Sequence, residues 1–172
     1  MTSAVETYVR ARVLEDLPAL VRVLTEQQPR SGYPLRWPLP FPVEQFLVRT
    51  YEEQAWVAER DSEVLGHVMV GRVVDAETAA IVTAATGRRE LATVSVLFVA
   101  QSARGQGIGK LLLDTAVAWA VQRGRMPVLD VAPKHREALE FYRYLGWSDV
   151  GRIRPEWLPD DHEDVVLMAL TP

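Results

Sequence analysis

A glycine-rich turn in the second half of the chain has the composition of an anion-binding site. In the stretch VLFVAQSARGQGIGKLLLDTAVAWA, an apolar strand leads to Gly105, Gly107 and Gly109 and then to an amphipathic helix. The first N–H groups of a helix lack intrahelical partners and carry a partial positive charge, so phosphate oxygens are natural ligands there. Arg104 and Lys110 add full charges beside the glycines. The spacing therefore predicts a phosphate-binding turn.

Two other kinds of phosphate loop fit this turn poorly. A nucleotide-triphosphate loop needs a glycine where Arg104 stands and a hydroxyl residue where Leu111 stands, so the magnesium-binding group is missing. A dinucleotide fingerprint has the form G-x-G-x-x-G directly after a strand, with an acidic residue about 20 positions later. Asp130 mimics that acid, but the glycines follow a G-x-G-x-G pattern, and five residues separate Val99 from the first of them. An NAD(P)-binding domain stays as an alternative.

The histidines and the acidic run near the C-terminus lack the spacing of a metal site. His67, His135 and His162 share no ligand pattern, and the run PDDHED over residues 159–164 is typical of a solvated hairpin loop. The chain has no cysteine, which excludes disulfides, thiol nucleophiles and thiolate ligands. We therefore expect no metal.

Length and composition favour one soluble domain over residues 1–172. A chain of 172 residues with 48% hydrophobic and 24% charged residues can bury a single core, and it has no apolar stretch of the roughly 20 residues that a membrane span needs. The net charge of −4 provides no basic field for nucleic acid or an anionic membrane. The N-terminal residues do not resemble a secretory signal. We expect a cytoplasmic protein that acts on small molecules.

The segments around the turn alternate between strands and helices. Periodicity and turn residues predict a strand, a helix, a long loop, a helix, two strands joined at Asp61 and Ser62, a weak helix within 75–89 that ends at Gly87, a strand, a helix, a strand, a helix and two strands. This order predicts an α/β (α+β) fold, a mixed sheet with helices on both faces. The apolar run from Val94 to Val99 predicts a central strand buried on both sides.

Three local predictions concern the helices and the long loop. Asp16 is placed to cap the first helix. Residues 29–42 contain five prolines, which predicts an irregular loop. The helix after the glycine turn presents one apolar stripe, formed by Ile108, Leu111, Leu112, Ala116, Trp119 and Ala120.

Two segments resemble the signatures of a known superfamily. LFVAQSARGQGIGKLLL resembles the acyl-CoA pyrophosphate loop of the GNAT superfamily of acetyl-CoA-dependent N-acetyltransferases, with Arg104, Gly107 and Gly109 at matching positions. HREALEFYRYLGW resembles the second signature, in which an asparagine usually stands where this chain has His135. The resemblance spans nearly the whole chain, most strongly over 91–151. It implies the GNAT acyltransferase fold, whose mostly antiparallel sheet splays at the cofactor cleft.

The resemblance implies acetyl-CoA as the cosubstrate, with the pantetheine arm paired to a strand backbone and the pyrophosphate on the glycine turn. His135 would contact the cofactor in place of the usual asparagine. The cofactor-binding residues implied in this way are Leu97, Phe98, Val99, Arg104, Gly105, Gln106, Gly107, Ile108, Gly109, Lys110, His135 and Tyr142.

The resemblance also places Tyr142 in the position of a general acid, where a phenol can protonate the thiolate of CoA as it leaves. Its helical spacing with Ala138 and Leu145 gives core packing as the alternative. The family commonly uses a glutamate on the central strand as the base, but this strand reads Thr-Val-Ser over 93–95.

The candidate bases in this chain are Glu90, Asp130 and His67. Each also has a structural interpretation. Glu90 could be a solvated strand end, Asp130 a hydrogen-bonded structural acid, and His67 a strand residue that faces polar surroundings.

The proline-rich loop GYPLRWPLPF carries Tyr33, Trp37 and Phe41, and together with the acidic loop it would flank the acceptor side of the cleft. Aromatic faces and carboxylates suit a cationic amine, although the prolines could serve only to stiffen the loop.

We therefore predict an N-acetyltransferase that moves an acetyl group to a primary amine by direct attack. The acceptor is a small-molecule or peptide amine, and the enzyme is a monomer or a homodimer. The missing strand carboxylate motivates an alternative, an acetyl-CoA-binding sensor or regulatory module without efficient turnover.

Overall fold

The computed structural model describes residues 5–171 and contains seven strands and five helices in that range. In chain order they are β1 (Tyr8–Ala11), α1 (Leu17–Ser31), α2 (Val43–Leu47), β2 (Glu52–Arg60), β3 (Glu63–Gly71), α3 (Ala76–Thr86), β4 (Leu91–Val99), α4 (Ile108–Gln122), β5 (Met126–Val131), α5 (Arg136–Tyr144), β6 (Ser148–Ile153) and β7 (Val165–Ala169). Short 3₁₀ turns precede α1 and follow β4.

The strands form one sheet in the order β1-β2-β3-β4-β5-β7-β6. Every neighbouring pair is antiparallel except β4 and β5, which run parallel. The predicted fold class, a mixed and mostly antiparallel sheet with surrounding helices, is therefore confirmed. Within the described residues, no helix combines the length and apolar character that crossing a membrane requires.

Helices cover the sheet on both faces. Neighbouring strand residues point to opposite faces, and buried apolar side chains occupy both of them. A Cβ at Gly66 would contact Leu112 of α4, whereas the next residue, His67, contacts Arg12, which donates to the Leu47 carbonyl at the end of α2. The main core includes Leu20 and Leu24 of α1, which are fully buried. A smaller cluster forms where α3 covers the sheet beyond β4.

The central strand β4 is interrupted by a bulge. His67 pairs with Phe98 and Met69 pairs with Ser95, so two residues of β4 oppose one residue of β3. Val96 lies in this bulge with φ of 52°, in the left-handed region that a β-branched residue rarely adopts. The prediction that β4 is central is confirmed. Its burial alternates along the strand, however, so the prediction that it is buried on both sides is wrong.

The parallel pairing of β4 with β5 is short. It joins Leu91–Thr93 to Met126–Val128 and then stops, although β4 continues to Val99 and β5 to Val131. Beyond the last pair the two strands are no longer hydrogen-bonded to each other, and we call the opening between them the cleft. The bulge lies on the diverging side of that last pair, and the glycine turn follows directly after it.

Three local predictions need correction. The irregular loop predicted from residue 29 begins later, because Pro29 lies inside α1, which runs to Ser31 with Gly32 as its C-cap. The Gly32 N–H still bonds to the Gln28 carbonyl, and the proline removes only one helical donor. The Asp16 carboxylate does not cap α1, because it binds the Val13 N–H and the guanidinium of Arg10.

The predicted stripe of α4 is also rotated. Leu111 is 39% exposed, whereas Leu113 is buried in its place. This helix lies against the sheet with a broad buried face that follows Ile108, Leu112 and Ala116.

Candidate active site

The glycine turn has the open backbone geometry that an anion requires. Gly105 and Gly107 have φ of 75° and 77°, a conformation that side-chain-bearing residues rarely adopt. A Cβ at either position would meet no heavy atom within 4 Å, so the turn borders open space. Gly107 is the N-cap of α4, and no side chain caps this helix. The sequence therefore leaves room for a ligand at the head of α4.

Backbone donors are available in this turn. The first backbone hydrogen bond of α4 runs from the Leu111 N–H to the Gly107 carbonyl at 3.0 Å. The preceding N–H groups of Gly109 and Lys110 make no hydrogen bond to another residue of the described chain, as expected for the first turn of an uncapped helix. They are free to donate to a bound anion.

Charged side chains surround the turn but are only loosely engaged. Lys110 contacts Asp114 at 2.5 Å and Arg104 contacts Glu137 at 3.4 Å, and these groups are exposed. Such surface ion pairs contribute little stability and can exchange for a phosphate. Arg60 of β2 donates to the Gln106 side chain at 2.8 Å. Arg60 could not be predicted from the sequence, because only the folded sheet brings it to the turn.

The cleft between β4 and β5 leads away from this turn. Leu97 and Val99 are partly buried, whereas Phe98 is buried and stacks on His67 with ring centroids 5.6 Å apart. A Cβ at Gly109 would lie 3.7 Å from the Val99 side chain, so the head of α4 adjoins the end of β4. Leu97 and Val99 therefore adjoin the glycine turn, whereas the side chains of Phe98 and Ile108 point into the core.

Asp130 lies on β5 beyond its last pair with β4, and it is the exposed residue of an otherwise buried strand. Its carboxyl can be reached by solvent but stands in a recess, where surrounding protein atoms remove part of its hydration. This burial raises the pKa of Asp130 above its ordinary value, while the positive charge of Arg49 opposes the shift. A carboxyl with a raised pKa is a better proton acceptor than a solvated one.

Tyr142 of α5 lies close enough to Asp130 for that charge to affect its phenol. Burial first, and the carboxylate of Asp130 second, raise the pKa of Tyr142, so the phenol stays protonated at neutral pH. Its ring packs edge-on against Trp147 at 5.9 Å. Its hydroxyl makes no hydrogen bond within the described part of the chain. The side chain therefore combines core packing with a free proton donor.

Tyr33 belongs to the same cluster. Burial raises the pKa of its phenol, and the charges of Asp130 and Arg49 act on it in opposite directions. Its ring packs edge-on against Phe46, with centroids 5.8 Å apart, and also faces His135. The long loop thus contributes a tyrosine to the side of the cleft that Asp130 faces.

His135 connects α5 to the loop that follows α1. Its Nε2 lies 3.0 Å from the Gly32 carbonyl oxygen, and the ring stands at the N-terminus of α5. Only Nδ1 is therefore left for the predicted contact between His135 and the cofactor. The position fixes the loop that carries Tyr33.

Two candidate bases are placed unfavourably. Glu90 directly precedes β4, at the end where β4 and β5 are still paired, and is therefore remote from the opening of the cleft. His67 is fully buried, with Nδ1 2.8 Å from the Val96 carbonyl oxygen and Nε2 3.0 Å from the Arg12 guanidinium. Burial lowers the pKa of His67 to about 4. With no access to solvent and both nitrogens engaged, it cannot take a proton directly from an acceptor.

Phe41 and Trp37 are the other two aromatic residues predicted to contact a substrate. Phe41 is 37% exposed and borders a shallow pocket, whose wall also includes Arg49 and Tyr51. Trp37 is partly buried. The guanidinium of Arg49 lies over the Phe46 ring at 4.4 Å, and its Nε donates to the Phe46 carbonyl. Arg49 could not be predicted from the sequence, because it follows a short helix and matches no motif.

The acidic loop before β7 is held by ion pairs and turn hydrogen bonds. Arg154 binds Asp164 at 2.8 Å, and the His162 N–H bonds to the Pro159 carbonyl. Across residues 5–171, no cluster of three or more histidine, cysteine or acidic side chains has an arrangement suited to a metal ion.

Comparison with known sequences gives one family. The family model described as "Acetyltransferase (GNAT) family" matches residues 18–147. An uncharacterized N-acetyltransferase of Methanocaldococcus jannaschii is 40% identical over 63 residues, a match that covers 36% of this chain. The aligned part spans only 28% of that relative's length.

Comparison of structures gives the same fold. The ribosomal-protein-S18-alanine N-acetyltransferase of Escherichia coli superposes with a TM-score of 0.69 at 18% identity, over 96% of this chain and 93% of that one. Naa50 of Arabidopsis thaliana, in complex with the bisubstrate analogue CoA-Ac-MVNAL, gives 0.66 at 14% identity, over 97% and 99%. A Corynebacterium glutamicum protein described as histone acetyltransferase HPA2 and related acetyltransferase gives 0.68 at 24% identity, over 96% of both chains.

Proposed function

The chain belongs to the acetyltransferase (GNAT) family, and from this premise we propose that it transfers an acetyl group from acetyl-CoA to a primary amine. The observation that carries the proposal is the divergence of β4 from β5 beyond Thr93 and Val128. The opening has a cradle of backbone donors at one end and Asp130 with Tyr142 beside it. A mostly antiparallel sheet also disfavours the alternative of an NAD(P)-binding domain, which uses a parallel sheet.

The residues of the glycine turn fit the pyrophosphate of acetyl-CoA. The open space at Gly105 and Gly107 and the free donors of Gly109 and Lys110 suit a diphosphate. We propose that the β4 backbone from Leu97 to Val99 binds the amide-bearing pantetheine arm, because this stretch lacks a partner strand on the β5 side. When bound, acetyl-CoA supplies an acetyl group activated as a thioester.

We propose Asp130 as the base and Tyr142 as the acid. Asp130, directly or through one water, removes a proton from the acceptor ammonium group, and the free amine then attacks the acetyl carbonyl carbon. The N–C bond forms and the C–S bond breaks. The Tyr142 phenol donates its proton to the leaving sulfur and recovers one from the acetylated nitrogen, so the net reaction releases one proton to solvent.

The acceptor side supports an amine substrate. The Asp130 carboxylate and the rings of Tyr33 and Phe41 offer a negative charge and aromatic faces to a cation. Two of the similar structures carry names that specify a protein alanine or a peptide-like bisubstrate analogue. We therefore propose a small-molecule or peptide amine as the acceptor. Trp37 lies on the same loop and is proposed as a further contact.

A test combines thiol release with product mass. The purified chain is incubated with acetyl-CoA and a panel of amines, amino acids and short peptides, and each product that forms with free CoA is identified by mass. Acetylation of at least one amine, lost in Asp130→Asn, is the expected result. Acetyl-CoA binding with no thiol release for any member would favour the sensor alternative, which the absence of a carboxylate at Thr93 and Ser95 motivates.

A further inference from the structure

The bulge in β4 is held from outside the strand by a buried histidine. His67 Nδ1 lies 2.8 Å from the carbonyl oxygen of Val96, the residue with positive φ. A carbonyl oxygen can only accept, so Nδ1 carries the hydrogen. The ring is fully buried and stacks on Phe98 at an interplanar angle of 23°. Both the direction and the plane of this hydrogen bond are therefore fixed.

The other ring nitrogen is fixed by an arginine. His67 Nε2 lies 3.0 Å from Nη1 of Arg12, and an arginine can only donate, so Nε2 accepts. This arrangement selects the neutral tautomer with the hydrogen on Nδ1. Burial and the adjacent arginine charge both lower the pKa of His67, to about 4, which keeps the ring neutral at physiological pH.

The arginine is in turn held by the elements around it. Arg12 contacts both carboxylate oxygens of Glu52, at 2.5 and 3.0 Å, and donates to the Leu47 carbonyl at 3.2 Å. Its side chain is only 8% exposed. The network thus runs from the end of α2 and the start of β2, through Arg12 and His67, to the carbonyl of Val96.

The position of the bulge gives this network a consequence for ligand binding. Thr93 is the last residue of β4 paired with β5, and Val96 lies between it and the stretch Leu97–Val99. An extra residue in a strand reverses the side to which each later side chain and backbone group points, because these groups alternate with a period of two. Whether the bulge forms therefore decides which backbone groups of Leu97–Val99 face the cleft.

We propose that His67 is a positioning residue that holds the Val96 carbonyl and thereby orients Leu97–Val99 toward the pantetheine arm of acetyl-CoA. The inference rests on the proposed function and deepens it, because it assigns a role to a buried residue that touches no substrate. It also explains why β3 contains a buried imidazole that is neutral and hydrogen-bonded at both ring nitrogens.

The test compares three substitutions by calorimetric binding of acetyl-CoA, which needs no acceptor. His67→Asn keeps an amide N–H near the place of Nδ1, His67→Gln moves the amide to the place of Nε2, and His67→Leu keeps volume without a donor. We expect His67→Asn to bind acetyl-CoA within about threefold of wild type and the other two to bind about tenfold more weakly or worse. Val82→Ala, a buried residue of α3, controls for general loss of stability.

The results distinguish the role of His67 from the proposed function. Equal binding by His67→Gln, His67→Leu and wild type would overturn the role of His67, and so would an equal loss in all three variants, because a donor at Nδ1 would then not matter. If His67→Leu fails to fold, the polar pair His67→Asn and His67→Gln gives the same comparison. A wild-type protein that does not bind acetyl-CoA would instead overturn the proposed function itself.

Discussion

Thr93 of β4 pairs with Val128 of β5, and no later pair joins these two parallel strands within the described chain. Asp130 lies two residues beyond this point on one strand, and the bulge at Val96 lies beyond it on the other. A parallel pair that ends early leaves unpaired backbone on both strands, which costs free energy unless water or a ligand satisfies it. The proposed binding site therefore begins where the pairing of β4 with β5 ends.

The glycine turn gives the first prediction. Gly107→Val should weaken acetyl-CoA binding by about tenfold or more, because a side chain would project into the open space where the phosphates are proposed to bind. The measurement is calorimetric binding together with thermal unfolding.

Gly87→Val is the matched control for that variant. Gly87 has φ of 72°, ends α3, and also borders open space. Both substitutions place valine in a left-handed conformation and should cost a similar free energy of unfolding, about 1–2 kcal/mol. Only Gly107→Val should affect the ligand. Equal binding by the two variants would remove the phosphate role from the turn.

The second prediction concerns the acid. Tyr142→Phe should lower kcat by about 100-fold and leave acetyl-CoA affinity nearly unchanged, because the ring still packs against Trp147 while the proton donor is gone. Steady-state kinetics with an identified acceptor measure kcat, and calorimetry measures the acetyl-CoA affinity. Tyr144→Phe, two residues along α5 and 87% exposed, removes a hydroxyl without reaching the cleft. Full activity in Tyr142→Phe would confine this residue to packing.

The parts of the site that sequence predicts well are those with local causes. The turn around Gly107 follows from residues adjacent in the chain, since a strand end, small residues and a helix start specify it without help from elsewhere. The weak helix ends at Gly87 as predicted, and the structure adds Asp75 as its N-cap. The hairpin at Asp61 and Ser62 likewise has the positive φ values of a tight turn.

The parts that sequence leaves open depend on distant partners. Glu90, Asp130 and His67 are equivalent candidates in the sequence. In the fold, Glu90 lies at the paired end of β4, and Asp130 lies in a recess beyond the last pair. His67 is bound by a buried arginine. Asp16 has a capping residue type and position, yet Arg10 on the neighbouring strand binds it more strongly than a helix end. Arg49 lies just after the short helix α2 and belongs to no sequence motif.

The third prediction tests the base. Asp130→Asn should lower kcat by about 100-fold, because an amide cannot accept the acceptor's proton. Burial raises the pKa of Asp130, so this carboxyl lowers the free energy of unfolding as the pH rises from its ordinary pKa through the raised one, and the penalty is absent at lower pH, where the group is protonated in both the folded and the unfolded state. The Asn variant should therefore unfold at the same temperature as wild type or a higher one at pH 7.

Glu90→Gln serves as the comparison for Asp130→Asn, because it removes a carboxylate at the closed end of the same strand pair. It should retain wild-type turnover. A loss of activity in Glu90→Gln with none in Asp130→Asn would reverse the assignment of the base.

The fourth prediction concerns the pKa of Asp130, on which burial and the charge of Arg49 act in opposite directions. Burial raises the pKa of the carboxyl, and the guanidinium charge lowers it. Removing that charge in Arg49→Gln should raise the pKa further, so the ionised base should appear only at higher pH. The acid limb of the profile of kcat/KM against pH should accordingly move to higher pH, and more at low than at high ionic strength, because salt screens the wild-type interaction.

Arg22→Gln gives the control for this shift. Arg22 lies on the exposed side of α1 and is not among the groups that affect Asp130, so its loss changes the net charge equally without moving the limb. If both variants shift the limb equally, the effect belongs to the overall charge of the protein. If neither shifts it, the group that titrates in the profile is not Asp130, and the proton acceptor must be sought among bound water or the acceptor itself.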